Sequence, residues 1–350
     1  MIRAVISEEK SLTLLIPGLF GFSSDPTKAA GANGPVARAL ETLLGRAERP
    51  QTSVVEYERQ VFSLFGVVTP NDADLPVAAV TRALDLGVID NGWWLRADPV
   101  HLRPERDRLI LLDTQIVPIT LEEANKLTAE IIESYAGHGW LLKSPRPGRW
   151  YLKPPRAARI LTTPLPRVVG KDIHPYLPQG KDGKAWHTVL NEFQILLHTA
   201  KINTEREQRG ELPFNSLWFW GGGRLPSISE VEWAELHSEE PISLALARLS
   251  ETPSSARPID FTDWQRQARR PGAHLAVLDQ ARGAVQYGQE RDWAEFVERL
   301  DRDWVAPAFR ALKAREISEL TICADTGTFR IGQREIRRWW RRRPPLASYR

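Results

Sequence analysis

The chain has a single cysteine, Cys323, in 350 residues. One thiol excludes an intramolecular disulfide and gives no support to a cysteine zinc site. No apolar run approaches the roughly 20 residues that a membrane-crossing helix needs. The opening residues Met1 to Lys10 mix acidic side chains with a broken apolar stretch, which does not read as a signal peptide. Cytoplasmic residence is therefore the expectation. Internal repeats and long low-complexity tracts are also absent.

What is present is ordinary in bulk and uneven in detail. Hydrophobic residues at 42% and charged residues at 26% suit a soluble globular protein, and the length suggests two or so domains. Seven arginines and one glutamate lie between Arg334 and Arg350, a balance of +6 in a chain of net charge +3. The body before that stretch is mildly acidic. Thirteen tryptophans point to extensive core packing, because an indole buries a large apolar area and its N–H needs one partner.

Leu12 to Ile16, followed by Pro17-Gly18, reads as a buried strand of a parallel sheet. Val36, Ala39, Leu40, Leu43 and Leu44 recur at helical spacing within Gly34–Ala47, and Val77, Val80, Ala83 and Leu84 do so within Pro76–Leu86. Strand then helix suggests an α/β domain. The pattern changes from Trp93 to Pro213. Trp93–Leu95, Leu109–Leu112, Arg149–Lys153 and Arg159–Thr163 are strand-like, and Thr120 with Glu123 signals a helix start by a capping box. That helix runs to about Ala136; Val169–Gly183 reads as a loop and Lys184–Ala200 as a helix. The α/β rhythm returns after Asn215, with strands at Leu217–Trp220, His274–Leu278 and Leu320–Ala324. Trp293–Ala314 reads as helix interrupted at Pro307, and Pro253-Ser254-Ser255 as a surface loop.

The most specific stretch is Asn203 to Pro226. Asn203 with Arg206, Gly210 with Pro213, and Asn215 precede the apolar run Ser216–Trp220, and Gly221, Gly222 and Gly223 follow it. This stretch resembles the return into the catalytic core of the archaeal-type cofactor-independent phosphoglycerate mutases. Gly92–Val100, Ile119–Ala124, Asp172–Pro175 and Leu190–Phe193 resemble further family segments in the same order, so the resemblance covers most of the chain. It is closest to the proteobacterial branch labelled "regulatory protein, Rpf type E". The resemblance implies a three-layer α/β core like that of the alkaline phosphatase superfamily, with an inserted α+β domain. Its parts would be a core over 1–92 and 214–333, the insert over 93–213, and a basic C-terminal tail over 334–350.

The active relatives use two divalent metals, held by Asp and His, and a serine that accepts the phosphoryl group. The positions that match these residues depart from the pattern. Pro17-Gly18 stands where the family has an Asp-Gly turn. Thr69-Pro70-Asn71-Asp72 stands where the nucleophile's Pro-Gly-Ser-acid run falls. Asp279 to Gly283 keeps an Asp and lacks the His, and Asp325-Thr326 replaces an Asp-His pair. In the insert, Asp113-Thr114 and Val117-Pro118 replace Asp-Arg and Gly-Arg, arginines that would grip an anionic substrate.

Each candidate residue has a functional and a structural reading. Arg96, Asn203 and Arg206 are candidate anion ligands; structurally, Arg96 would pair with Asp98 or Asp113, and Asn203 with Arg206 would hold a turn. Gly221–Gly223 could cradle a phosphate or make a tight connection. Asp279 and Asp325 could share one residual metal or cap turns. His174 reads as a loop histidine and Cys323 as a buried small hydrophobe. Arg337, Arg338, Trp339, Trp340, Arg341, Arg342 and Arg343 form a candidate polyanion or partner patch; structurally, they make a final helix with a tryptophan packed on the core.

The expected function is that of a non-catalytic, regulatory bacterial protein on a mutase-like scaffold, acting on an unidentified protein partner or small anion without a cofactor. The enzyme alternative is a metal-dependent phosphoglycerate mutase or related phosphoryl-transfer enzyme using Mn or Mg. The binding alternative is a nucleic-acid-associated protein that uses its Arg/Trp-rich C-terminus.

Overall fold

The computed structural model describes residues 9–21, 35–48, 56–70, 73–135, 137–228 and 231–349. Gly34, Asn71 and Asp72 lie outside them. The chain opens with β1 (Lys10–Leu15), α1 (Arg38–Arg46) and α2 (Tyr57–Leu64). There follow α3 (Val77–Leu86), β2 (Trp94–Glu105), β3 (Arg108–Leu112), α4 (Leu121–Ser134), β4 (Leu141–Arg146) and β5 (Arg149–Lys153). Next come α5 (Gly183–Thr199), α6 (Lys201–Gln208), β6 (Ser216–Gly223), β7 (Trp233–His237), α7 (Pro241–Leu249) and β8 (Ser254–Ser255). The last elements are α8 (Phe261–Gln267), β9 (Gly272–Val277), α9 (Ala281–Gln286), α10 (Glu290–Leu300), α11 (Ala306–Ala314), β10 (Glu319–Ala324) and β11 (Gly327–Gly332).

Two compact units result, residues 1–67 with 228–350 and residues 68–227. The first holds a six-stranded sheet in the order β11-β10-β1-β9-β7-β8, parallel except for β11. Leu12 and Leu14 of β1, Ala276 of β9 and Ile322 of β10 face one way into a core with α1, α8, α10 and α11. Leu15, Leu236, Leu275, Val277 and Cys323 alternate onto the opposite face and are also buried; α2 and α7 pack on each other. Burial on both faces is why these strands are apolar throughout rather than alternating.

The second unit holds a five-stranded antiparallel sheet in which β2 pairs with β3, β5 and β6, and β5 with β4. Leu95, Trp150, Leu152, Leu217 and Phe219 face α4 and α5. Trp94 and Tyr151 point the other way, against Ala78 of α3. The boundaries therefore fall at 68 and 227 rather than at 93 and 213. β6 joins this sheet because it hydrogen-bonds along β2 from Trp94 to Val100, and α3 covers the sheet's second face.

Several local expectations need correction. Arg159–Thr163 is not a strand, and only Leu161 bridges, to Gln179. β4 and α6 carried no clear periodic signal; Asn203 and Arg206 sit on helix α6, and from it their side chains bond the backbone of the returning segment at Phe214 and Leu212. The glycines Gly221–Gly223 lie inside β6. A Cβ on Gly222 would come within 2.6 Å of Trp93, and one on Gly223 within 2.6 Å of Pro76, so packing excludes side chains there. Pro307 is the second residue of α11, and a wide π-helical turn at Asp301–Val305 precedes that helix. Proline has no N–H for the bond a regular helix would need. Ser254-Ser255 adds a short strand beside β7.

Candidate functional site

In an open parallel sheet, ligands bind beyond the carboxyl ends of the strands. Here β1 delivers Pro17-Gly18, β10 delivers Asp325, β9 delivers Asp279 and β7 delivers Ser238 to Glu240. Gly18 takes a positive φ of 77°, and its N–H donates to Asp325 Oδ2 at 2.7 Å. Burial pushes the Asp325 carboxyl above the usual carboxylate range, partly offset by this N–H and by the charge of Arg282.

Arg282 is the central group. In the first turn of α9, its guanidinium is ion-paired with the buried carboxylate of Glu58 on α2 and lies 4.5 Å from the centre of the Tyr57 ring. Burial raises the Tyr57 hydroxyl pKa, and the charge of Glu240 adds to the effect. Glu240 caps α7, accepting from Ile242 N at 3.0 Å and Ser243 N at 2.8 Å. Its own pKa is raised by burial against these bonds. Asp279 is held by Arg257 at 3.0 Å, and Arg257 also reaches Glu239 at 3.2 Å.

These donors do not fit a two-metal centre. The Pro17 side chain offers no ligand atom, Asp325 and Asp279 are directed to an N–H and a guanidinium, and the Arg282 cation lies among the acids. Among the described residues, three potential ligands converge at Glu235, His237 and His274, and neither Asp279 nor Asp325 is with them. The two imidazoles are nearly coplanar, 15° apart, with centroids at 5.4 Å. They meet end-on, His237 Nε2 to His274 Nδ1, at 3.1 Å. The lone pairs face one another along one line and do not converge on a point about 2.0–2.1 Å from both, as zinc requires. A single tautomer chain satisfies every ring nitrogen. Ser255 Oγ–H donates to His237 Nδ1 (2.8 Å), His237 Nε2–H to His274 Nδ1, and His274 Nε2–H to the Arg270 carbonyl (2.9 Å).

The insert's candidate anion ligands are committed internally. Arg96 is buried and grips Asp98 through Nε at 2.9 Å and Nη2 at 2.7 Å. Asp98 also accepts from Trp150 N and from Trp220 Nε1, and its full burial raises its pKa against the Arg96 charge. Asn203 donates to the carbonyls of Leu197 (2.7 Å) and Phe214 (2.8 Å) and accepts from Phe214 N. Arg206 donates to the Leu212 and Pro118 carbonyls and to Glu123. Glu123 is also the capping-box acid of α4, as Thr120 foretold. The Gly222 N–H points at Asp74, whose carboxylate also takes the Thr162 hydroxyl and N–H. An internal carboxylate thus takes the place a bound phosphate would need at Gly221–Gly223.

His174 is an exposed loop residue bonded to Asp172 at 2.7 Å. Cys323 is buried, which pushes its thiol up to about 11. The tail departs from expectation. The chain makes a short 3₁₀ turn at Glu335–Arg337 rather than a final helix, and both tryptophans are exposed, Trp339 at 77% and Trp340 at 66%. No tryptophan of this pair serves as core; Ile336, Leu346 and Tyr349 take that part. Sequence reasoning missed Tyr57, Glu58, Glu240, Arg282 and the histidine pair. The available signal was position: Arg282 falls three residues after a strand-end aspartate.

The architecture is a mixed α/β fold of the cofactor-independent phosphoglycerate mutase-like kind. A Pyrococcus horikoshii protein superposes with a TM-score of 0.56 at 14% identity, covering 94% of this chain and 88% of its own. The cofactor-independent phosphoglycerate mutase of Thermoplasma acidophilum superposes with a TM-score of 0.51 at 15% identity, covering 97% and 94%. In sequence, a probable 2,3-bisphosphoglycerate-independent phosphoglycerate mutase of Geobacter sulfurreducens is 27% identical over 156 residues, 44% of this chain and 38% of that protein. The Methanosarcina mazei enzyme is 34% identical over 67 residues, 19% of this chain and 17% of its own. The chain thus matches well under two thirds of these relatives' length. No family model matches the chain. Among the described residues, no helix is long and apolar enough to cross a membrane.

Proposed function

We propose that this chain is a non-catalytic, phosphoglycerate mutase-like protein of the regulatory, Rpf type E kind found in bacteria. It acts by binding a partner protein or small anion and needs no divalent metal. The observation that carries this reading is the Arg282–Glu58 ion pair at the strand ends. A fixed cation there opposes the entry of divalent metals, and Asp279 and Asp325 already have partners. Since Arg96 and Arg206 are held by internal acids, a partner protein is the better supported ligand class. A second reading, suggested by the names of the relatives, is a phosphoglycerate mutase, for which the metal would be Mn or Mg.

The test is an assay for interconversion of 2- and 3-phosphoglycerate with excess manganese or magnesium, together with melting in EDTA. We expect no turnover above background and an unchanged melting temperature. Metal-dependent turnover lost on Asp279→Ala with Asp325→Ala would establish the mutase reading instead, and a fall of several degrees in chelator would show that a metal site persists.

A further inference from the structure

The C-terminal arginines divide into two sets. Arg338 donates to the Arg46 carbonyl at 3.3 Å and to Glu335 at 3.1 Å, and Arg341 donates to the Ala47 carbonyl at 3.1 Å. Both fasten the chain to the carboxyl end of α1, where free carbonyls and the negative end of the helix dipole favour cations. Arg337, Arg342 and Arg343 are exposed, and their guanidinium groups meet no hydrogen-bond or ion-pair partner among the described residues. Between Arg338 and Arg341 lie Trp339 and Trp340, edge to face at 85° with centroids 6.1 Å apart. The only acid in the stretch, Glu335, is taken by Arg338 and by Gly332 N.

We propose that this surface binds single-stranded nucleic acid. Three unpaired guanidinium groups supply phosphate contacts, and two exposed indoles, perpendicular to one another, each supply a face on which an unstacked base can lie. An acidic peptide would engage the arginines and leave both indoles in water. A lipid surface would call for an amphipathic helix, which this segment does not form, or for a cluster of about four to eight free basic residues, more than the three this patch offers. The rest of the chain is net negative, so a polyanion has reason to bind here and little reason to bind elsewhere.

The test is fluorescence anisotropy of a labelled oligothymidylate of about 20 nucleotides with the full-length protein, over a salt series starting near 50 mM. Arg337→Ala, Arg342→Ala and Arg343→Ala together should weaken binding at least tenfold and lower the slope of log K against log salt by about 2, at about 0.7 per lost phosphate contact on single strands. Trp339→Ala with Trp340→Ala should weaken binding about tenfold or more and leave the slope in place. Melting temperatures should stay at the wild-type value; Arg342→Gln and Trp340→Ala singly serve if a combined variant melts lower. Failure of the wild-type protein to bind the oligonucleotide near 50 mM salt overturns the proposal. So does wild-type affinity in the tryptophan variant with heparin or polyglutamate competing as well as the oligonucleotide, which would mark an acidic-protein surface. Binding to phosphatidylserine vesicles without binding to the oligonucleotide would assign the patch to a lipid surface and equally end the proposal.

Discussion

At the scale of single residues, the molecule is governed by where buried charges find partners. Glu58, Asp98 and Arg206 are each almost fully buried, and each is matched by an opposite charge. Removing one partner leaves an uncompensated charge in a poorly solvated site, which costs far more than the intact pair contributes. Arg282→Ala should therefore destabilise the protein by about 3–5 kcal/mol in urea unfolding, and Glu58→Gln in the same chain should restore part of the loss. A loss below about 1 kcal/mol, the scale of a surface pair, would show that Arg282 does not hold the strand ends together. Arg282 was legible as a strand-end residue but not as a keystone, because Glu58 lies 224 positions away.

Elements are tied together by polar groups that cross between them. Asp301, in the wide turn before α11, accepts from Ala39 N at 3.3 Å and Leu40 N at 2.6 Å, capping a helix that has no cap of its own. Burial raises the Asp301 carboxyl pKa, and those two bonds hold it back. Strands β7 and β9 are joined across their shared face by His237 and His274. Desolvation lowers the His237 pKa from 6.5 to about 4, with the charge of Glu235 opposing and that of His274 assisting. His274 is lowered too, chiefly by burial, with Lys10 contributing and the Arg270 carbonyl and Glu235 opposing. Folded values below the unfolded value mean that this stability is fully present above pH 6.5 and is lost as the pH falls through about 4. The melting temperature should therefore drop by several degrees over that window, and His237→Gln with His274→Gln should flatten the drop. An equally steep profile in the double variant would assign the acid sensitivity to other groups.

At the scale of the whole chain, the unit over 68–227 is continuous in sequence and carries its own core. A fragment of these residues should unfold cooperatively by circular dichroism. The shorter fragment 93–213 should not, because it lacks β6, which pairs along β2, and α3, which covers Trp94 and Tyr151. A cooperative transition in the shorter piece would mean that β6 and α3 are not needed for the antiparallel sheet to stand alone. The other unit brings residues 9–21 beside 272–277 and 319–324, so no single stretch of it can be cut out in the same way.

What the sequence determined by itself is what depends on near neighbours. The strand Leu12–Ile16, the Thr120–Glu123 capping box, helix α5 and the apolar strand ahead of the glycines all follow from periodicity and local hydrogen bonding. The ordered matches around Asn203–Pro226 pointed to the fold for the same reason. Only the tertiary structure decided which partner each polar group found. Asp98 rather than Asp113 pairs with Arg96 because they lie on one face of β2, two residues apart. Asp74, not an external anion, meets the glycine strand. The tail could not be settled from its own residues, since the same arginines and tryptophans suit a packed helix or an open surface. Ile336, Leu346 and Tyr349 fill the adjoining core, and with that volume taken Trp339 and Trp340 remain in solvent.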